Sequence, residues 1–253
     1  MDRYAIIVAG GSGSRMGGDI PKQFMLLDGK PVILRTIEQF LSLSSPVNII
    51  VILPKAYREY WKEYCFENGV TFRYTLVSGG ITRYHSVKNA MKYIPNGAVV
   101  AVHDGVRPFV SRSFLERMFL LGEEFGAVVP VVKPVDSMRT VLDEEEPETN
   151  GAEDIRPAGE SVERENYVFI QTPQVFHSDI LSKAYRQAFI PAFTDDASVV
   201  ERCGNKIFTA AGSRMNIKIT QAEDMLLAEA ILSLIQDKAE REQINETETE
   251  KRD

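Results

Sequence analysis

Apolar, β-branched stretches alternate with segments of helical period along most of the chain. Residues 4–9, 48–53, 72–77, 99–103 and 127–132 read as strands. Between them, residues 32–43 place Leu34, Ile37, Phe40 and Leu41 on one helical face. Residues 57–68 end at Gly69, and residues 113–125 end at Gly126, both glycine stops for helices. This alternation predicts an α/β fold of βαβ units, a mostly parallel twisted sheet with helices on both faces. In such a fold the strand-to-helix loops gather along one sheet edge, where ligands bind.

After Val132 the rhythm breaks. A short strand is expected at 138–142, followed by an acidic stretch with proline and glycine, and order resumes near Tyr167. The segment from about 134 to 170 therefore reads as a projecting β-arm, with a solvated acidic insertion at 143–165. Helical period returns at 178–188, 197–202 and 221–235, the last announced by Thr220-Gln221-Ala222-Glu223, the pattern of a capping box. There is no internal repeat and no second core. The expectation is one domain over 1–236, with a frayed or disordered tail at 237–253.

Charge sharpens this division. The chain of 253 residues carries a net −7, but the insertion holds −8 and the tail −3, so the remaining body is at +4. A mildly positive body suits a small polyanionic substrate at a focused site. It lacks the basic stripe of a nucleic-acid binder. No apolar run approaches the ~18 residues of a membrane span, and the N-terminus lacks the pattern of a signal peptide, so a cytoplasmic protein without membrane or nucleic-acid partners is expected. Two cysteines, Cys65 and Cys203, and three scattered histidines, His85, His103 and His177, show no metal-ligand spacing.

The candidate chemistry begins in the loop after the first strand, where Ala9, Gly10, Gly11 and Gly13 precede Arg15. Backbone N–H groups freed of side-chain bulk can wrap phosphates there. The dinucleotide-binding spacing G-x-G-x-x-G fails, because Met16 takes the third position, and no Gly-Lys-Ser/Thr follows for a P-loop. Arg15 and Lys22 put two cations beside this cradle. Such a pair suits a triphosphate attacked at its α-phosphorus, where charge accumulates on the non-bridging oxygens.

Five further segments follow in order: Pro21-Lys22-Gln23; Gly79-Gly80-Ile81-Thr82-Arg83-Tyr84-His85-Ser86-Val87; Val102-His103-Asp104-Gly105-Val106-Arg107-Pro108; Gln171-Thr172-Pro173-Gln174; and Thr194-Asp195-Asp196-Ala197-Ser198 with Asn216-Ile217-Lys218-Ile219-Thr220. Together with the glycine loop they resemble the 2-C-methyl-D-erythritol 4-phosphate cytidylyltransferase family, over roughly residues 4–235. The resemblance implies a Rossmann-like nucleotidyltransferase fold. It also implies transfer of CMP from CTP to a polyol phosphate, with Mg²⁺, in a homodimer joined through the arm.

Residue by residue, the resemblance gives Arg15 and Lys22 the role of stabilising the pentavalent phosphorus. CTP falls to Ala9, Gly10, Gly11, Gly13, Gly79, Gly80, Ser86, Asp104 and Gly105, with Ser86 meeting the cytosine edge or capping the following helix. Asp104, Arg107, Thr172, Thr194 and Lys218 are assigned to the acceptor. Lys218, between Ile217 and Ile219 on a short strand, is an awkward cation unless a phosphate meets it. Mg²⁺ is expected to be held mainly by the CTP phosphates, with Asp104 a candidate ligand, while Asp195 and Asp196 are expected to order their loop, a metal role for these adjacent carboxylates staying open. His103 is expected to orient its neighbours. Arg164, with Arg156 as its competitor, is assigned to the partner subunit's site.

Two departures from the family pattern stand out: Gly105-Val106 in place of two alanines, and Tyr84-His85 where an acidic residue often precedes the serine. Two alternatives remain open at this point, a ribitol-5-phosphate cytidylyltransferase and a non-catalytic nucleotide-binding module. Ser86-Val87 and Ala197-Ser198-Val199-Val200-Glu201 favour the methylerythritol family. The presence of Arg15, Lys22 and Lys218 together favours an enzyme.

Overall fold

A computed structural model describes residues 1–11, 20–141 and 158–250, with the side chains of the last helix described as far as Lys238. The chain opens with strand β1, Arg3–Val8, and passes through a 3₁₀ turn, Lys22–Phe24, into a small ribbon of β2, Leu26–Leu27, and β3, Lys30–Pro31. Helix α1, Val32–Leu41, strand β4, Val47–Leu53, helix α2, Arg58–Glu67, and strand β5, Tyr74–Ser78, follow. Next come α3, Arg83–Ala90, β6, Val99–Asp104, α4, Arg112–Phe125, and β7, Ala127–Val132.

The arm is a two-stranded stem of β8, Met138–Arg139, paired antiparallel with β9, Ser161–Val162; its acidic centre lies outside the described residues. The chain rejoins the sheet through β10, Phe169–Ile170, and β11, Gln174–His177. It ends with α5, Ser178–Ala184, α6, Asp196–Arg202, β12, Phe208–Ala211, and α7, Ala222–Glu250.

The main sheet runs β10-β7-β11-β6-β1-β4-β5, with β12 also paired to β7. β1, β4, β5 and β6 are parallel neighbours, and β12 is parallel to β7, whereas β11 lies antiparallel between β6 and β7. The sheet is thus mostly parallel, as expected. The central strands read as unbroken apolar runs because both faces are covered. Ala5 and Ile7 of β1 face a core built with α1, α2 and α4, centred on Phe40, Trp61 and Phe119. Ile6 faces the opposite core, built with α3, α5 and α6 around Tyr84, Leu181 and Val200. A third, smaller cluster seats Met225 and Ala228 of α7 against Leu27, Val106 and Ile219.

Gly126 closes α4 at φ +78°, a left-handed position that favours glycine. Some expectations change. The segment around Lys218 is not a strand; Ile219 N–H donates to the Val106 carbonyl at 3.0 Å. The last helix begins one residue later than read, so Asp224 rather than Glu223 accepts from the backbone N–H groups of Thr220 and Gln221 and from the Thr220 hydroxyl. That helix continues past residue 236 as far as Glu250, in a stretch rich in Glu, a strong helix former.

Candidate functional site

β1, β5 and β6 end at the same edge of the sheet, and the loops that leave them enclose a cleft of about 520 Å³, a size that suits a small-molecule ligand. Its walls come from distant parts of the chain: Ala9, Gly10 and Gly11 after β1, Lys22 from the 3₁₀ turn, Gly80 to Arg83 and Ser86 around the start of α3, Asp104 at the end of β6, and Lys218. The motifs that carry the glycine loop, Lys22, Ser86, Asp104 and Lys218 thus converge at one place, while residues 171–174 and 194–198 are not among those lining it. Gly13 and Arg15 lie outside the described residues.

On one side of the cleft the backbone is shaped for close approach. Gln23, almost wholly buried, donates from Nε2 to the carbonyls of Ala9 at 3.0 Å and Gly11 at 3.3 Å, and so sets the course of the glycine loop. Across from it, the Ser86 hydroxyl accepts from Gly80 N–H at 2.9 Å and donates to the Thr82 carbonyl at 2.9 Å. Ser86 therefore folds the 80–82 loop, while the N-cap expected of it belongs to Thr82, which accepts from His85 N–H. Gly80 permits this packing because a Cβ there would lie 2.5 Å from the Cβ of His85. Gly79 N–H is bonded to the Leu53 carbonyl and Gly105 N–H to the Val8 carbonyl, so these two glycines dock the loops onto neighbouring strands.

The other side is a constellation of charge around Asp104. Its Oδ2 lies 3.0 Å from Lys218 Nζ and 3.5 Å from Arg107 Nε, and its Oδ1 lies 3.8 Å from Arg83 Nε. Burial alone would raise the pKa of this carboxyl. Arg83, Lys218 and Arg107 outweigh that and hold it well below the usual carboxylate range. Lys218 is the most exposed of the partners and lines the cleft.

Arg107 is placed differently from the open fork expected for an acceptor phosphate. Its side chain is mostly buried, with Nη1 donating to the Asn216 carbonyl at 2.7 Å, so it braces the segment that carries Lys218. Burial lowers its pKa against the opposing pull of Asp104. Thr172, expected to offer its hydroxyl to the acceptor, points inward. Its Oγ1 accepts from Asp104 N–H at 3.1 Å and meets His103 Nδ1 at 3.1 Å, while His103 Nε2 meets the Arg107 carbonyl at 3.1 Å. His103 orients its neighbours, as expected. Burial pushes its pKa down to about 4, so it is neutral near pH 7.

Thr194 is exposed directly ahead of α6. Asp195 caps that helix in a reciprocal capping box with Ser198, and Gln174 holds the turn by donating to Asp195 Oδ2 at 2.8 Å and accepting from Ala197 N–H at 2.9 Å. Asp196 is fully buried, with Arg83 Nη2 at 2.6 Å on Oδ2 and the Tyr185 hydroxyl at 2.5 Å on Oδ1. Both aspartates thus order the loop. Arg164 sits on the arm, hydrogen-bonded to the Val135 carbonyl and paired with Glu165 at 3.2 Å, and it is not part of this cleft. Arg156 lies outside the described residues.

Sequence reasoning gave no site role to Gln23, Arg83, Gln174 or Asn216. Each stood inside a quoted motif, which was the only signal available. Among the described residues no three His, Cys, Asp or Glu side chains cluster for a metal. Asp104, the only carboxylate among the described residues lining the cleft, has both oxygens facing cations.

A family model for 2-C-methyl-D-erythritol 4-phosphate cytidylyltransferase matches residues 4–234. A relative of that name from Phocaeicola vulgatus is 44% identical over 232 residues, covering 92% of this chain and 100% of the relative. Another from Clostridium botulinum is 34% identical over 231 residues, covering 90% and 98%. Among solved structures, 2-C-methyl-D-erythritol 4-phosphate cytidylyltransferase from Francisella tularensis is similar at a TM-score of 0.74 and 27% identity, covering 91% of this chain and 100% of that one. A 4-diphosphocytidyl-2C-methyl-D-erythritol synthase from Anaerococcus prevotii is similar at 0.73 and 26%, covering 92% and 96%. With its motifs assembled around one cleft and its length matched almost end to end, the chain belongs to the 2-C-methyl-D-erythritol 4-phosphate cytidylyltransferase family.

Proposed function

We propose that this chain transfers CMP from CTP to 2-C-methyl-D-erythritol 4-phosphate, releasing pyrophosphate, in the formation of isoprenoid precursors. The observation that carries the reading is the division of the cleft. A backbone-lined side built by the glycine loop and the Gly80–Ser86 loop faces a charged side built on Asp104 and Lys218.

CTP lies along the first side, its triphosphate wrapped by backbone N–H groups and its base against the 80–86 loop. The acceptor phosphate meets Lys218 and Thr194 on the second. One of its oxygens attacks the α-phosphorus, a new P–O bond forms, and the bond to the β-phosphate breaks with its electron pair leaving on pyrophosphate. Charge gathered on the non-bridging oxygens is met by Lys22 and, from the adjoining loop, by Arg15. A phosphate monoester has its second pKa near ~6, so the nucleophile arrives ionised and the chain's task is to position it. Mg²⁺, held by the CTP phosphates, would offset the charge of the triphosphate.

The arm leads us to propose a homodimer. Arg164 stands apart from its own cleft, so a catalytic role for it requires the partner subunit. Among the described residues no helix is long and apolar enough to cross a membrane, and the substrates are small, charged metabolites; the reading places the enzyme in the cytoplasm.

The direct test offers the purified protein CTP and Mg²⁺ with either methylerythritol phosphate or ribitol phosphate and follows pyrophosphate. Release with methylerythritol phosphate alone is expected. Release with ribitol phosphate alone would overturn the acceptor, and release with neither would overturn the catalytic reading. Mixing Arg164→Ala with Lys22→Ala chains is expected to regenerate activity if sites are shared, and no gain on mixing would overturn the sharing.

A further inference from the structure

Arg83 is the first residue of α3, one position after the N-cap Thr82, and its guanidinium reaches two carboxylates from two other parts of the chain. Nη2 lies 2.6 Å from Asp196 at the start of α6, and Nε lies 3.8 Å from Asp104 at the end of β6. The side chain also lines the cleft. Its neighbour Tyr84 grips the same distant segment, donating its hydroxyl to the Gln187 carbonyl at 2.6 Å, with the Tyr185 carbonyl at 3.1 Å, and stacking on Tyr185 with ring centroids 4.8 Å apart. Tyr185 in turn donates to Asp196. The start of α3 is thus clamped at two points to the stretch that presents Thr194.

The chemistry of this contact is specific to arginine. Asp196 is wholly buried, and a carboxylate in that position requires a charged donor as well as the tyrosine. A planar guanidinium spreads its charge over both its edge and its end, so one side chain lies within ion-pair distance of Asp196 and Asp104 together, whereas an ammonium is a single point of charge.

We propose that Arg83 is a positioning residue for acceptor binding: by spanning Asp104 and Asp196 it fixes the carboxylate that holds Lys218 and the loop that presents Thr194. The nucleotide loop and the acceptor loop are thereby one mechanical unit. This rests on the proposed function in one respect, that the acceptor phosphate lies between Lys218 and Thr194.

The test uses two variants of the full chain, Arg83→Lys and the paired Arg83→Gln/Asp196→Asn. The first keeps a cation for Asp196 but cannot span both carboxylates. The second removes the buried charge and its counterion together, which keeps the comparison valid if a lone substitution unfolds the protein. CTP affinity is measured by titration without acceptor, and kcat and KM for methylerythritol phosphate from pyrophosphate release. Expected is a rise in acceptor KM of tenfold or more in both variants, with CTP affinity within threefold of the parent. An unchanged acceptor KM in folded variants overturns the proposal, as does an equal loss of CTP affinity, which would make Arg83 a nucleotide ligand. A parent protein that releases no pyrophosphate under the same conditions overturns the functional reading and the inference together; an active parent with unaffected variants overturns the inference alone.

Discussion

The two sides of the cleft solve different physical problems with different materials. The side proposed for the nucleotide is backbone: loops after β1 and β5, with Gln23 and Ser86 hydrogen-bonded to carbonyls and amides of those loops. The side proposed for the acceptor is side-chain charge: Asp104, Arg107 and Lys218, with Arg83 reaching them from the 80–86 loop. A polyphosphate with many equivalent oxygens is served by a row of N–H dipoles whose spacing the chain itself fixes. A single phosphate must be placed to within a fraction of an ångström of the reacting phosphorus, and charges held against one another do that.

The comparison breaks most sharply at Lys22. Lys22→Ala is expected to cut turnover at least ~100-fold with CTP binding reduced far less, because a cation beside the reacting phosphorus acts on charge that exists only in the transition state. Pyrophosphate release against direct CTP titration checks this; an equal loss in both would make Lys22 part of ground-state binding. Asp104→Asn strikes the other side. With three cations facing a neutral amide, we expect a loss of about 3 kcal/mol in stability, read from denaturant unfolding, and a large rise in acceptor KM.

His103 supplies a pH signature. Its folded pKa of about 4 lies below the ordinary ~6.5, so the unfolded chain binds the proton first as pH falls. Stability from this group is complete above ~6.5 and declines as pH falls to about 4, a difference on the order of 3 kcal/mol. His103→Asn is expected to flatten that part of the stability profile; an identical slope in the variant would assign the effect elsewhere. The smallest effect belongs to Gln174→Ala, which frees Asp195 and the Ala197 amide. A loss of about 1 kcal/mol is expected, with acceptor KM raised and CTP affinity unchanged.

The nucleotide side was the more legible in the sequence. β1, β4, β6 and β7 match their apolar runs to within a residue, and the loops after β1 and β5 carry their glycines side by side, as Gly10-Gly11 and Gly79-Gly80. The acceptor side depends on partners that local pattern does not register. β11 is four residues long and antiparallel, and its place between β6 and β7 is set by pairing across the fold rather than by its own periodicity. Arg83 alone reads as a surface charge, since its partner Asp196 stands more than a hundred residues away. Thr172 and Arg107 were expected to face a ligand by type and position, and the structure instead turns the hydroxyl of one and most of the guanidinium of the other toward the protein.

The line through His103 has a consequence for how protons travel. A neutral imidazole bonded at both nitrogens has one arrangement that satisfies every partner: Nε2–H donates to the Arg107 carbonyl, Nδ1 accepts from the Thr172 hydroxyl, and that hydroxyl accepts from Asp104 N–H. One end stops at a carbonyl and the other at an amide. Neither terminus exchanges a proton with the cleft, so the line is a closed circuit for hydrogen and conducts only orientation. On the proposed function, the ascending limb of the rate against pH is expected to follow the second ionisation of the acceptor phosphate and to move when the acceptor is changed, with His103→Asn leaving it in place.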